Sequence, residues 1–192
     1  MDKKKIILLG GGGHCKSVID VIEQQGEFEV AGIVDKKELV GTTVLGYEVI
    51  GCDDDLEQLR WKYEYGLISV GHIKSNSLRV KLFEKLKLFG FKTPTIISPF
   101  AYVSKHSSVG GGTVVMHGVI INANAKVGKN CIINSKALIE HDVVVKDSVH
   151  ISTNAVVNGG CVVEENTFFG SGAISKEYVK VSGFVKAGSV VK

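Results

Sequence analysis

The sequence predicts two domains, a small α/β domain with a parallel sheet over residues 1–96 and a parallel β-helix over residues 97–192. Two observations predict this architecture: an uninterrupted six-residue repeat in the second half, and short strands alternating with helices in the first. At 192 residues the chain is long enough for one large domain or two small ones. Pro94 and Pro99 flank the expected boundary, as a domain junction should.

The β-helix prediction rests on two columns of residues. Every sixth residue is apolar at thirteen successive positions: Ile97, Val103, Val109, Val115, Ile121, Val127, Ile133, Ile139, Val145, Ile151, Val157, Val163 and Phe169. The residues four places later are small or apolar: Ala101, Ser107, Thr113, Val119, Ala125, Cys131, Ala137, Val143, Val149, Ala155, Cys161, Thr167 and Ala173. A helix would need a period near 3.6, and a half-buried strand a period of 2. A period of six indicates short strands and turns stacked in coils of about 18 residues.

The repeat blurs after Phe169, where Ser175 interrupts the aliphatic column. Either Val181 and Ala187 or Val179 and Val185 would continue it. We therefore expect a two-residue slip of register within the last coil.

The first half of the chain has the pattern of a βαβ unit. A glycine run, Gly10–Gly13, follows an apolar strand, and the next strand ends at Asp35. Gly26 closes the intervening helix. The predicted strands are Lys5–Leu9, Glu29–Val34 and Gly66–Val70, and the predicted helices are His14–Gln25, Asp53–Tyr65 and Ser75–Phe89. The apolar face of the last helix is predicted to carry Leu78, Leu82, Leu86 and Phe89.

Composition and charge exclude several classes of protein. A formal net charge of +3 is too small to suggest a nucleic-acid partner. The four cysteines fit no CxxC spacing, and the hexad phase places Cys131 and Cys161 in the core. The apolar run Ile6–Leu9 is too short for a signal peptide or a membrane span. We therefore expect a cytoplasmic protein without a membrane-spanning segment.

The glycine turn and Asp35 form the first candidate site. Gly10 and Gly12 fit the start of G-x-G-x-x-G, but Cys15 occupies the third glycine's place. Glycines let phosphates approach the amides at a helix N-terminus, and an acid after the second strand accepts hydrogen bonds from sugar hydroxyls. Three interpretations stay open: a nucleotide-linked substrate, NAD, or a structural tight turn. Lys36, Lys37 or Lys74 would neutralise a diphosphate.

The second candidate site lies in the repeat, at Ile139-Glu140-His141-Asp142 and at His150. The hexad phase places both histidines outside the core. A neutral imidazole is the natural proton acceptor near pH 7, and a carboxylate on its other nitrogen fixes the tautomer. The alternative is a solvated surface. A zinc site is disfavoured because no third ligand is placed.

On these residues the chain resembles a known family. An α/β domain opening with G-x-x-G-H, followed by hexapeptide repeats with an I-E-H-[DE] motif, is similar to the left-handed β-helix sugar acetyltransferases of bacterial glycan biosynthesis. The family includes UDP-4-amino-sugar N-acetyltransferases of the bacillosamine pathway, their perosamine counterparts and proteins named sialic acid O-acetyltransferases. The resemblance spans essentially the whole chain. It implies a Rossmann-like first domain.

The resemblance also implies roles for individual residues. His141 would be the general base that takes a proton from the acceptor amine. Asp142 stands where the family often has glutamate, and would raise the basicity of His141. Acetyl-CoA would contact His150 near the thioester and, further along, Gly159, Ser171 and Lys186. The acceptor sugar and its nucleotide would be bound by Gly12, Gly13, His14, Asp35, Lys36, Gly71 and Asn134.

The function implied is acetyl-CoA-dependent N-acetylation of a nucleotide-linked amino sugar, with no metal. The family is expected to be homotrimeric, with the active site between subunits. Family members usually continue with a G-x-P-A-K tail near the CoA groove, whereas this chain ends at Val191-Lys192. Two alternatives stay open: O-acetylation of a sialic-acid-like sugar, and a non-catalytic β-helix scaffold that binds a nucleotide sugar or a partner.

Overall fold

The computed structural model describes residues 3–192, which fall into two compact units. Unit 1 comprises the chain up to Gly71 together with Ser77–Pro94, and unit 2 comprises His72–Asn76 and Thr95–Lys192. Met1 and Asp2, which the predicted first domain includes, lie outside the described residues. The segment His72–Asn76 clusters with the β-helix, although its place in the sequence falls within the predicted first domain.

Unit 1 is a five-stranded α/β sheet with the strand order β3-β4-β2-β1-β5. All neighbouring strands are parallel except β3, which pairs antiparallel with β4. The elements are β1 Lys4–Leu9, α1 Gly13–Gln25, β2 Phe28–Val34, a 3-10 turn Lys37–Leu39, β3 Thr43–Val44, β4 Tyr47–Gly51, a 3-10 turn Asp53–Asp55, α2 Leu56–Lys62, β5 Tyr65–Ile68 and α3 Ser77–Leu88. The predicted βαβ order is confirmed, and the β3–β4 hairpin is an addition that the sequence did not indicate.

Each helix of unit 1 buries one face, as the spacing of its apolar residues predicts. In α3 one predicted core residue is exposed, and a neighbouring charged residue is buried in its place. Leu82 and Leu86 are buried, but Leu78 is 53% exposed. Arg79 is buried instead, because its Nη1 donates hydrogen bonds to the carbonyl oxygens of Ile68 and Val70, at 2.9 and 2.8 Å. A buried guanidinium is tolerated when its donors are satisfied in this way.

Unit 2 is the predicted parallel β-helix. Its two-residue strands are β6 Ile96–Ile97, β7 Tyr102–Val103, β8 Ser108–Val109, β9 Val114–Val115, β10 Ile120–Ile121, β11 Lys126–Val127, β12 Ile132–Ile133, β13 Leu138–Ile139, β14 Val144–Val145, β15 His150–Ile151, β16 Val156–Val157, β17 Val162–Val163, β18 Phe168–Phe169, β19 Ile174–Ser175, β20 Lys180–Val181, β21 Phe184–Val185 and β22 Val190–Val191. Every third strand pairs, so three parallel sheets form the three sides of each coil.

The two columns identified in the sequence fill the interior of the coil. Residues of the first column such as Ile121, Ile139 and Val157 are fully buried. Cys131 and Cys161 of the second column are buried as well, which confirms that they are core residues.

Most corners of the coil end in a residue with left-handed backbone. The non-glycine residues of this kind include Asn124, Asp142, Asn154, Asn166 and Tyr178, with φ between 56° and 63°. The amide of each corner residue donates to a carbonyl of the preceding coil, for example from Asp142 to Ala123 at 3.2 Å. Each corner is therefore stacked on the corner 18 residues before it.

The expected slip of register is present near the end of unit 2. Val163 pairs with Val181, eighteen residues later, whereas Phe169 pairs with Val185, sixteen residues later. The turn between β20 and β21 is therefore two residues shorter than the other turns. Ser175 keeps its inward place because its hydroxyl accepts the amide hydrogen of Asn158 at 2.9 Å.

No helix within residues 3–192 combines the length and the apolar character needed to cross a membrane.

Candidate active site

The strongest candidate site is the corner between β13 and β14, which carries His141 and Asp142. Nδ1 of His141 lies 2.8 Å from Oδ2 of Asp142. A carboxylate only accepts hydrogen bonds, so Nδ1 carries the hydrogen and Nε2 of the neutral ring holds a free electron pair. The left-handed backbone of Asp142 turns its short side chain back onto the histidine. Aspartate, although shorter than the glutamate common in the family, is therefore long enough to contact Nδ1 of His141.

Residues of the preceding coil hold the two carboxylates that flank His141. Nδ2 of Asn124 donates to Oδ1 of Asp142 at 2.6 Å, and Nδ2 of Asn122 donates to Oε2 of Glu140 at 2.9 Å. The hydrogen bond from Asn124 is the main cause that lowers the pKa of Asp142, so this carboxylate stays ionised at neutral pH. Neither asparagine is among the predicted site residues, although each lies 18 residues before its carboxylate partner in the repeat.

The hydrogen bond that His141 donates to Asp142 raises the pKa of the imidazole above its ordinary value of 6.5. The side chain of His141 is 58% exposed, so solvent reaches the ring. A raised pKa makes the neutral imidazole a stronger proton acceptor, and shifts the pH at which it becomes neutral upward.

Gly159 provides the space in which the free nitrogen of His141 lies. A Cβ atom added to Gly159 would stand 2.9 Å from both Cε1 and Nε2 of the ring. Such a distance is shorter than real Cβ contacts, so a larger residue would displace the imidazole. The family resemblance implies that Gly159 contacts CoA. The structure places it beside Nε2 of His141.

On the acetyl-transfer role that the family resemblance implies for His141, we expect Asp142→Asn to slow the reaction and to shift its pH dependence. Loss of the carboxylate lowers the pKa of His141, so the acidic limb of the kcat/KM profile moves to lower pH. The plateau rate falls by about 10- to 100-fold because neither the tautomer nor the imidazolium is stabilised any longer. Asparagine tolerates left-handed backbone, so the melting temperature should change little. An acidic limb that stays in place or moves upward would contradict the assigned pair.

His150 lies outside the coil interior, as its hexad position predicts, but it is buried, which disfavours the alternative of a solvated surface. Its side chain points away from the coil interior, but it is only 6% exposed because His72 and Phe168 cover it. Nδ1 lies 2.5 Å from the carbonyl oxygen of His72, and Nε2 lies 3.3 Å from Nδ2 of Asn134. Nδ1 must therefore be the donor. Polarisation of a thioester carbonyl by Nε2 would then require the doubly protonated ring.

The other predicted CoA residues lie on the same side of the coil as His150. Asn134 and Lys186 occupy equivalent positions after β12 and β21 of one sheet. The Ser171 hydroxyl lies 2.8 Å from that of Ser152, and the Ser171 carbonyl accepts the amide of Gly188 at 2.9 Å. Asn134, His150, Ser171 and Lys186 are thus brought to one sheet and the corner that follows it.

His141 and Gly159 lie elsewhere, at the corner formed by the other two sheets. This corner is opposite the sheet that contains β15. The predicted residues therefore form two groups on different sides of one β-helix, and a single copy of unit 2 does not bring them together.

In unit 1, the carboxylate of Asp35 links the glycine turn to the end of β2. Its oxygens accept the backbone amides of Gly11 and Lys36, at 2.5 and 2.7 Å. A cavity of about 300 Å³ opens beside it, at the carboxyl ends of the parallel strands, where ligands bind in this class of fold. The cavity is lined by Gly10, Val34, Asp35, Lys36, Lys37, Cys52, Asp53, Asp54, Val70, Leu78 and Leu82.

The other predicted residues of unit 1 lie around the same turn without lining this cavity. Gly12 is the N-cap of α1 and Gly13 is its first residue, and a Cβ atom added to Gly71 would lie 3.7 Å from the Cβ atom of His14. Ser69 fixes the turn through a hydrogen bond from its hydroxyl to the carbonyl of Gly10 at 2.6 Å. Ser69 and Arg79 were not predicted, because their partners are backbone carbonyls that leave no signal in the sequence.

The glycines of the turn have different reasons to be glycine, which predicts different effects of substitution. Gly10 has φ of +105°, and an added Cβ atom would overlap Val70. Gly12 has ordinary backbone and open space around it. We expect Gly10→Ala to lower the free energy of unfolding by about 2–4 kcal/mol, and Gly12→Ala to change it by less than about 1 kcal/mol. Urea denaturation of both variants measures the difference, and equal effects would contradict this distinction.

Among the described residues, no group of three or more His, Cys, Asp or Glu side chains is arranged to hold a metal ion.

Comparison with known proteins gives one family. Residues 5–86 match the PglD N-terminal domain family. The chain is 36% identical over 116 residues to UDP-N-acetylbacillosamine N-acetyltransferase of Bacillus subtilis (strain 168), an alignment covering 59% of the chain and 51% of that protein. The chain therefore spans about half the length of the curated relative that it matches.

Solved structures match over nearly the whole chain. PerB from Caulobacter crescentus in complex with CoA and GDP-perosamine is 36% identical, with a TM-score of 0.91 over 98% of this chain and 88% of that one. The acetyltransferase domain of PglB from Neisseria gonorrhoeae FA1090 in complex with acetyl coenzyme A is 28% identical, with a TM-score of 0.88 over 99% and 93%. The fold, the corner that carries His141 and Asp142, and these relatives together show that the chain belongs to the hexapeptide-repeat, left-handed β-helix sugar acetyltransferases.

Proposed function

We propose that this protein transfers the acetyl group of acetyl-CoA to the amino group of a nucleotide-linked amino sugar, with a UDP-linked 4-amino-4,6-dideoxy sugar as the first candidate. The observation that carries the proposal is the pair of His141 and Asp142, which leaves Nε2 free above Gly159. The relatives support it, since one is a UDP-N-acetylbacillosamine N-acetyltransferase and the structure of another, PerB, holds CoA and GDP-perosamine.

The chemistry assigned to the pair is general-base catalysis. Nε2 of His141 takes a proton from the acceptor amine as the amine nitrogen bonds to the thioester carbonyl carbon. The carbon–sulfur bond of the tetrahedral intermediate then breaks, which yields the amide and CoA. Asp142 stabilises the imidazolium that forms in between. His150 and Asn134 are proposed to contact the acyl end of CoA and the acceptor.

The nucleotide is assigned to unit 1. The open space at Gly12 and Gly13 admits phosphates to the N-terminus of α1, and Lys36 supplies a positive charge beside Asp35. His14 and Gly71 border the same turn. Ser171 and Lys186 are assigned to the CoA in unit 2, together with Gly159.

We propose that the working form is a cytoplasmic homotrimer. A site that uses both His141 and His150 needs two copies of unit 2, because one β-helix holds them on different sides. Four free cysteines agree with a reducing compartment. Sedimentation should give three times the chain mass of 20.6 kDa.

The test of the function is thiol release from acetyl-CoA with UDP-, dTDP- and GDP-linked 4-amino sugars and with a nonulosonic acid. We expect turnover with one nucleotide-linked amino sugar and none with the nonulosonic acid. Turnover with the nonulosonic acid alone would indicate O-acetylation. If calorimetry detects no binding of CoA, the acetyltransferase proposal is wrong and the scaffold interpretation replaces it.

A further inference from the structure

Leu78 is an apolar residue of α3 that the packing of unit 1 leaves exposed. The spacing of the helix predicts it in the core, but it is 53% exposed. It lines the cavity beside Asp35 instead, together with Val34, Val70 and Leu82. Apolar walls at the carboxyl ends of parallel strands are typical of a ligand pocket, and a position where the expected packing fails is often part of a functional site.

The cavity extends across the ends of four adjacent strands, β4, β2, β1 and β5. The glycine turn after β1 is the place for phosphates, and the acid after β2, Asp35, is the place for a ribose in folds of this type. Neighbouring strands lie about 4.8 Å apart. The base, which is the next group along a nucleotide, therefore reaches the end of β4.

Three aspartates follow β4, and two of them have structural partners. Oδ2 of Asp53 accepts a hydrogen bond from Nζ of Lys85 at 2.9 Å, and Oδ2 of Asp55 accepts one from the amide of Cys52 at 2.8 Å. Within residues 3–192, no hydrogen bond or ion pair involves the carboxylate of Asp54. Asp54 is exposed and lines the cavity, so its oxygens are available to a ligand.

Lys37 supplies a hydrogen-bond donor next to this acceptor. Lys37 follows β2 and Asp54 follows the neighbouring strand β4, and both line the cavity. A carboxylate only accepts hydrogen bonds, and an ammonium group only donates them. The pair matches the edge of a base in which a ring N–H lies beside a carbonyl, as in uracil, thymine and guanine. Adenine and cytosine have the reverse pattern, a ring nitrogen that accepts beside an amino group that donates.

We infer that Asp54 selects a nucleotide whose base carries a ring N–H beside a carbonyl, an inference that rests on the proposed function. The N–H donates to Asp54, the carbonyl accepts from Lys37, and one flat face of the base packs against Leu78. Adenine and cytosine turn a lone pair toward the carboxylate and are rejected, because the buried polar edge is left unpaired. Asp54 determines specificity and takes no part in the acetyl transfer.

Calorimetry of the full chain with UDP, GDP, CDP and ADP tests the inference independently of acetyl transfer. We expect UDP or GDP to bind at least about tenfold more tightly than CDP and ADP, and the tighter of the two identifies the base. In Asp54→Asn this ratio should fall below about threefold, because an amide donates as well as accepts. The melting temperature should not change, since Asp54 is exposed.

Two further variants separate recognition of the base edge from other effects. Asp53→Asn is the matched control, because Asp53 lines the same cavity but is paired with Lys85, and it should keep the wild-type ratio. Leu78→Ala should weaken the binding of all four nucleotides by a similar factor of about ten and also keep the ratio, since the apolar wall contacts any base.

Equal affinity of wild type for the four nucleotides, absence of nucleotide binding, or a ratio that Asp54→Asn leaves unchanged would overturn the inference. Its failure is distinguishable from that of the proposed function. Acetyl transfer to CDP- or ADP-linked amino sugars as fast as to the UDP- or GDP-linked ones would refute the selection and leave the function intact. Discrimination among the nucleotides without any binding of CoA would support the selection and refute the function.

Discussion

Replacement of His141 by alanine will lower kcat/KM for acetyl transfer by about 10²- to 10⁴-fold, the usual contribution of a positioned general base. The imidazole is the group at this corner whose pKa suits proton transfer near pH 7, and Asp142 fixes the tautomer that leaves Nε2 free. The side chain is 58% exposed and lies outside the core, so the melting temperature should stay the same. Thiol release from acetyl-CoA at saturating sugar measures the rate, and calorimetry should find CoA still bound.

His106→Ala is the matched control for this experiment. His106 is an exposed histidine on the same edge of the β-helix, two coils before Asp142, and its carbonyl accepts the amide of Asn124 at 3.2 Å. Its loss should leave the rate within about twofold of wild type. A His141→Ala variant that retains wild-type turnover would remove the base from this corner and with it the assigned mechanism.

Gly159→Ala will reduce kcat/KM by about 100-fold, the effect expected when a reacting group is displaced by about 1 Å. The new methyl group would stand 2.9 Å from Nε2 of His141, so the imidazole must rotate away from this position or lose its hydrogen bond to Asp142. The β-helix interior is untouched, and thermal unfolding should show little change.

A double-mutant cycle tests whether this effect passes through the histidine. In a His141→Ala background no imidazole remains to be displaced, so Gly159→Ala should lower the residual rate no further. A second loss of similar size in that background would show that Gly159 acts through its proposed contact with CoA and not through the imidazole.

The parts of this protein that repeat or lie close in sequence were predictable, and those that depend on distant contacts were not. The period of six defined the coils, the buried cysteines and the slip near Ser175, because each residue of a β-helix is positioned by neighbours 18 residues away. His141 and Asp142 are adjacent in the chain, so their pairing followed from the motif.

The environment of His150 could not be read in the same way. It is buried by His72, a residue 78 positions earlier that lies within the connection between β5 and α3. The burial of Arg79 could not be predicted, because the apolar pattern of a helix gives no sign of a guanidinium that donates to the backbone carbonyls of Ile68 and Val70. The space at Gly159 depends on the direction of a side chain one coil away, which spacing alone leaves undetermined.

Each hexad contains inward residues and outward residues, and substitutions at these two kinds of position have different consequences. Substitutions in the inward columns alter stability, whereas substitutions at the outward corners alter what the molecule binds and how it reacts. Corners stack only on their neighbours, so one edge can change its chemistry without repacking the interior. A scaffold built this way can acquire new acceptor sugars through few replacements, and the usual conflict between activity and stability is relaxed along its edges.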